Sequence, residues 1–147
     1  MNHQKAKKAA KTTPGGWKPA MFAFALSLFI GGALILLASF AANLTSDPGK
    51  WIRPLAILAA ALTYLIAGAI AAKFRPDAPL AAGTVNGLVL SALSLVVSLL
   101  FRKTASPLPV YASALLHAGM ILLSLLGAYL TVLKQKRTPG KKKRKHR

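Results

Sequence analysis

The sequence contains no cysteine and no glutamate, and its only acidic residues are Asp47 and Asp77. The absence of cysteine excludes disulfides, thiolate nucleophiles and Cys-ligated metal sites. Two aspartates form a paired-carboxylate site only if they meet, and the topology derived below places them on opposite sides of a membrane. Of the three histidines, His3 and His146 lie in the tails and only His117 lies in an apolar segment, which leaves no multi-histidine metal site. We therefore expect no enzymatic activity, no cofactor and no metal.

Charged residues are also missing from four long stretches of the chain, although 54% of the residues are hydrophobic. The charge-free stretches are residues 19–46, 54–72, 78–101 and 104–133. A bilayer core about 30 Å thick is crossed by roughly 20 apolar residues in a helix. The sequence therefore predicts an all-α polytopic membrane protein with four antiparallel transmembrane helices. The predicted spans lie at about residues 20–42, 54–72, 80–101 and 110–133.

A water-soluble four-helix bundle is the competing fold. It would need a polar face on every helix. The first apolar segment offers only Ser27 and Ser39 as polar positions, and the second offers only Thr63 and Tyr64. Neither segment can present a face to water, which favours the membrane interpretation.

The first span has a basic segment before it, as a secretory signal peptide does. Its apolar core runs from Ala20 to Ala42, longer than the usual ~7–15 residues of a signal peptide. We therefore expect this segment to be a membrane anchor that is not cleaved.

Positive charge is distributed very unequally between the two sides of the predicted membrane. Of the 20 lysines and arginines, sixteen lie in the N-terminal tail, the loop after the second span and the C-terminal tail, and four lie in the other two loops. Cytoplasmic loops carry the excess of basic residues. The sequence therefore predicts a basic tail at residues 1–18, a transmembrane domain at 19–133 and a basic cytoplasmic tail at 134–147. We expect a protein of the bacterial plasma membrane with both termini in the cytoplasm.

The C-terminal tail ends in a dense basic cluster, which we expect to contact the anionic inner leaflet. Each such charge contributes about 1 kcal/mol beside an anionic surface. The cluster consists of Lys141, Lys142, Lys143, Arg144, Lys145 and Arg147. Nucleic acid is the alternative partner, and its binding would be unspecific because no aromatic residue is interleaved for base stacking.

Small residues recur at helical spacing along the third span. They are Gly83, Gly87, Ser91, Ser94 and Ser98. Lipid supplies no hydrophobic drive between helices, so close packing of small residues holds such bundles together. The stripe predicts a helix-packing face, with a solute path as the alternative. Gly68 and Gly127 lie at similar places near the ends of the second and fourth spans, as an internal duplication would place them, although their spacing to the next lysine differs.

Two polar residues inside the spans, Asn86 and His117, are expected to point into the bundle because facing lipid is unfavourable. Depth along the helix axes places Asn86 level with Tyr64 and Ser124, and His117 level with Ser94. We therefore predict an Asn86–Tyr64 contact and a Ser94–His117 hydrogen bond, and Ser124 as a further interhelical contact. The alternative is that Asn86, Ser94 and His117 line a transport path. Hydrolysis by a Ser–His pair is disfavoured because no acidic residue orients the histidine.

The segments 64–73 and 82–88 carry a family resemblance. A Gly/Ala-rich second span ends in Lys73, and after a short loop the third span opens with Gly83-Thr-Val-Asn86-Gly87-Leu. This pattern resembles small uncharacterised bacterial membrane proteins. The resemblance implies a four-span membrane protein without an assigned activity and no catalytic residues.

Three functions are compatible with these features. The first is a non-enzymatic structural or accessory component that packs with itself or with another membrane protein. The second is a small transporter or channel formed by a homo-oligomer. The third is a membrane tether that binds polyanions, such as ribosomal RNA or anionic lipid, through the basic tails.

Overall fold

The computed structural model describes residues 17–100 and 110–136, which form four helices. They are α1 (Trp17–Asn43), α2 (Pro48–Phe74), α3 (Pro79–Leu100) and α4 (Val110–Lys136). Each is long and apolar enough to cross a membrane. The prediction of an all-α fold with four membrane-spanning helices is confirmed, and the chain is a multi-pass membrane protein.

The ends of α2 and α3 follow from the positions of the prolines. Pro48 and Pro79 each occupy a first helical position, where the missing N–H has no consequence. α2 ends before Arg75 because Pro76 disfavours helical backbone in the preceding residue. The connections before α2 and α3 are only a few residues long, so α1, α2 and α3 run antiparallel to their neighbours. α2 begins ahead of the predicted span and continues through Pro54.

α2 is the central helix, since it packs against the other three. α1 and α3 touch only lightly, and α1 makes no contact with the described part of α4. α2 and α4 run parallel and approach so closely that their backbones touch. A Cβ added to Gly68 would overlap the carbonyl oxygen of Ser124, and one added to Gly127 would overlap that of Leu65. Gly68 and Gly127, which lie at similar places in the second and fourth spans, therefore each pack against the backbone of the other's helix.

The first half of α3 fits against α4 through two further glycines. A Cβ at Gly83 would lie 2.5 Å from Ala128 Cβ, and a Cβ at Gly87 would lie 2.8 Å from Ser124 Cβ. Ser91, the next residue of the predicted packing stripe, is also buried. This half of the stripe packs as predicted for a small-residue face.

The second half of the stripe does not pack within the chain as predicted. Ser94 and Ser98 are exposed, as is every residue from 92 to 100. The part of α4 that packs on α3 is its second half, at Ser124 and Ala128, whereas the larger His117 lies at the level of Ser94. Because close approach needs small residues on both helices, α3 separates from the described bundle beyond Ser91.

The glycine contacts predict unequal effects of adding one methyl group. Gly68→Ala and Gly127→Ala force a backbone shift, and each should lower the free energy of unfolding by about 1–3 kcal/mol. Gly32→Ala and Gly119→Ala are matched controls, since a Cβ there meets no atom within 4 Å. The measurement is unfolding in mixed micelles of increasing SDS fraction. Equal effects at all four glycines would contradict the α2–α4 backbone contact.

Candidate functional site

Asn86 joins three helices in the interior of the bundle. Its Nδ2 donates to the hydroxyl of Ser27 on α1 at 3.2 Å and to the carbonyl of Ala67 on α2 at 3.1 Å. Ser27 is 1% exposed, and its own hydroxyl donates to the carbonyl of Ala23 at 2.7 Å. Both amide hydrogens of Asn86 therefore have acceptors in a place where water is excluded, as buried polar groups require.

A second polar link joins α3 to α2. The hydroxyl of Ser91 donates to the phenolic oxygen of Tyr64 at 3.2 Å. Tyr64 is buried and forms an apolar cluster with Ala67 and Leu90, beneath Phe24, Met120 and Leu123. We predicted a contact between Asn86 and Tyr64, but each makes its hydrogen bonds elsewhere, Asn86 with Ser27 and Ala67 and Tyr64 with Ser91. Depth along the axis gives the level of a residue but leaves the face of the helix undetermined, and Asn86 lies on the face toward Ser27.

Ser124 provides the third link, between α4 and α3. Its hydroxyl donates to the carbonyl oxygen of Gly83 at 2.8 Å, and the residue is fully buried. The bond is short because Gly68, Gly83 and Gly87 surround Ser124 and let the three backbones approach. Ser124 is thus an interhelical contact, with a backbone partner on α3.

His117 forms its hydrogen bond within its own helix. Its Nδ1 lies 2.7 Å from the carbonyl oxygen of Ser113. A carbonyl only accepts, so Nδ1 carries the proton and a neutral ring has its lone pair on Nε2. Nε2 is buried and has no hydrogen-bond partner within residues 17–100 and 110–136. The predicted Ser94–His117 bond is therefore not formed, because Ser94 lies on the exposed part of α3.

The described residues offer little chemistry beyond these structural bonds. No group of three or more histidine, aspartate or glutamate side chains converges within 17–100 and 110–136. Asp47 and Asp77 lie at opposite ends of α2, and each is exposed beside a basic residue, Lys50 at 3.3 Å and Arg75 at 3.4 Å. The basic cluster at residues 141–147 lies outside the described residues.

Comparison with known proteins identifies no relative: no family model, curated protein or solved structure matches the chain. The functional interpretation therefore depends on the geometry of the chain itself.

Sequence reasoning missed Ser27 as the partner of Asn86. Ser27 is one of the two polar positions of the first apolar segment, and no partner was predicted for it. The hydroxyl of Ser27 and the amide of Asn86 lie in the same half of the membrane, and each lowers the free-energy cost of burying the other. Their common depth is therefore a signal for pairing. The pairing still required the angular positions of α1 and α3, which only the structure supplies.

The Asn86–Ser27 bond predicts energetic coupling between α1 and α3. Asn86→Ala and Ser27→Ala should each destabilise the bundle, with a double-mutant coupling of about 0.6–1.7 kcal/mol. Ser39→Ala is the control, because Ser39 is exposed on the same helix as Ser27. Unfolding in mixed micelles measures all four variants. Zero coupling between Asn86 and Ser27 would contradict the bond.

His117 should make no stabilising link to α3. His117→Leu is expected to leave the free energy of unfolding unchanged or to raise it, since it removes a buried nitrogen that has no partner in the described structure. A cycle of His117→Leu with Ser94→Ala should show no coupling beyond experimental scatter. A coupling above about 0.6 kcal/mol would restore the Ser94–His117 bond.

Proposed function

We propose that this chain is a non-enzymatic structural or accessory protein of the bacterial plasma membrane. It docks with a second membrane-spanning helix through residues 92–100 of α3. The docking helix belongs to a second copy or to another membrane protein. The observation that carries the proposal is the exposure of every residue from 92 to 100, in a helix that has one face buried in the bundle up to Ser91.

The composition of this half-helix supports a protein partner on part of its surface. Ser94 and Ser98 continue the small-residue stripe that packs tightly at Gly83 and Gly87. Small residues let helix backbones approach closely, and hydroxyls form interhelical hydrogen bonds. A surface that contacts only lipid needs neither small residues nor hydroxyls. The stripe therefore packs within the chain in its first half and is available to a partner helix in its second half.

A transport path receives less support from the geometry. Both amide hydrogens of Asn86 are engaged in bonds within the chain, and Ser94 and His117 do not meet. Cavities of about 300 and 480 Å³ lie among the described residues, and neither of these is lined by Ser94 or His117. The three residues expected to line a path thus have separate surroundings.

The described charges support an orientation with both termini in the cytoplasm. Lys18, Lys73, Arg75, Lys134 and Lys136 lie at one end of the helices. Lys50 and Arg53 lie at the other end. The more basic end is the cytoplasmic one by the positive-inside rule.

Cysteine crosslinking tests the docking surface, and the chain has no native cysteine to interfere. Ser94→Cys and Ser98→Cys should form disulfide-linked dimers under mild oxidation in native membranes if the partner is a second copy. Partners must bring their Cα atoms within about 7 Å. A short bifunctional reagent at the same cysteines should give one discrete larger product if the partner is another protein.

Ser39→Cys is the matched control, since Ser39 is an exposed serine on α1. It should give neither product, because we expect the surface of α1 around Ser39 to face lipid. Crosslinking that is absent at 94 and 98, or equally efficient at 39, would remove the proposed interface.

A further inference from the structure

A cleft of about 300 Å³ opens between α1 and α3, and the end of α2 forms its floor. Its walls are almost entirely apolar and include Ala23, Phe24, Ala82 and Val85. Asn86 lies at its deeper part, and Arg75 lies at its mouth. The cleft therefore runs from the membrane interface toward the middle of the bilayer.

The cleft exists because small residues line a seam where the helices do not come together. α1 and α3 touch only lightly, and the side chains between them are short, such as Ala20, Ala71 and Ala81. At the mouth, Phe74 stacks edge-on against Phe22 with ring centroids 5.3 Å apart. These two rings link α1 to the end of α2 and leave the space toward α3 open.

Arg75 has unused hydrogen-bonding capacity at the mouth of the cleft. Its Nη2 makes a 3.4 Å contact with Asp77 Oδ2, and Asp77 is itself largely exposed. Its Nε is buried and finds no acceptor among the described residues. A guanidinium has five N–H donors arranged to bind phosphate oxygens in pairs. Lys73 lies two residues away along the chain, and Lys18 directly precedes Pro19, which lines the cleft, so two further cations lie close to its lining in the sequence.

We propose that this cleft binds one acyl chain of an anionic membrane phospholipid, with the lipid phosphate on Arg75. On this side the lining extends from Ala78, just before α3, to Val89 in it, which is roughly 16 Å at 1.5 Å per residue. One leaflet contributes about half of a 30 Å hydrocarbon core, so an acyl chain anchored at Arg75 matches the depth of the cleft. Free phosphate would satisfy Arg75 but leave the apolar walls without an occupant.

Native mass spectrometry of the full-length protein, released from nanodiscs of phosphatidylglycerol or phosphatidylcholine, tests this site. Arg75→Gln should lower phosphatidylglycerol occupancy about tenfold, as loss of a charge-assisted phosphate contact predicts. Val85→Trp should lower occupancy by both lipids because it fills the cleft. Val85 is 57% exposed, so the larger side chain does not disturb the packed interior.

Two variants serve as controls. Lys50→Gln removes an exposed charge at the opposite end of α2, and Ile35→Trp adds the same ring at a position of α1 that is 54% exposed and outside the cleft. Both should retain wild-type occupancy. Inorganic phosphate at millimolar concentration should not displace the lipid, and displacement would show that the headgroup contact alone holds it.

The site is overturned if Arg75→Gln and Val85→Trp both bind lipid as the wild type does. It is also overturned if Arg75→Gln weakens binding while Val85→Trp does not, since that pattern indicates attraction at the surface without an acyl chain in the cleft. Arg75→Lys keeps the charge but lacks the paired N–H donors. It should give intermediate occupancy, which keeps the test decisive if the glutamine variant fails to fold.

Discussion

The direct contact between the backbones of α2 and α4 is the constraint on which the rest of this bundle depends. Lipid is as apolar as the helices, so no hydrophobic effect drives them together, and packing must supply the attraction. Dispersion forces fall off steeply with distance, and two helices gain most from them when glycine lets the backbones touch. Gly68 and Gly127 face each other's preceding turn at Ser124 and Leu65. This pair fixes the separation to which α3 is then fitted.

Attachment of α3 and α1 uses different interactions. α3 is held by Gly83 and Gly87 against Ser124, whose hydroxyl completes the contact with a bond to a backbone carbonyl. α1 lies on the far side of α2 from α4, so it cannot share this contact. It is joined through Ser27 to Asn86, a polar link that is costly to leave unpaired in lipid. α1 also packs along α2, with Gly31 against Thr63, so the bond from Asn86 to Ser27 adds a link from α3 to a helix that small residues already hold.

The sequence predicted the features that depend on one helix at a time. Runs without charge predicted the four spans, because the bilayer acts on each helix separately. Depth arguments correctly placed Asn86 in the interior, but they paired it with Tyr64 because depth does not specify the helix face. Ser94 was expected to pack because it continues a regular stripe, yet its burial depends on the bulk of α4 at the same level. The cleft at Arg75 was not foreseen, since it depends on the separation of α1 and α3.

Small residues have opposite consequences in the two seams of this bundle. Between α2 and α4 they let the backbones meet, whereas between α1 and α3 they leave a space of about 300 Å³. That space is an open cleft and not a sealed cavity, so the surrounding bilayer has access to it. Because the cleft lies beside an arginine whose Nε finds no acceptor in residues 17–100 and 110–136, its apolar walls and its charge together favour a lipid acyl chain as the occupant.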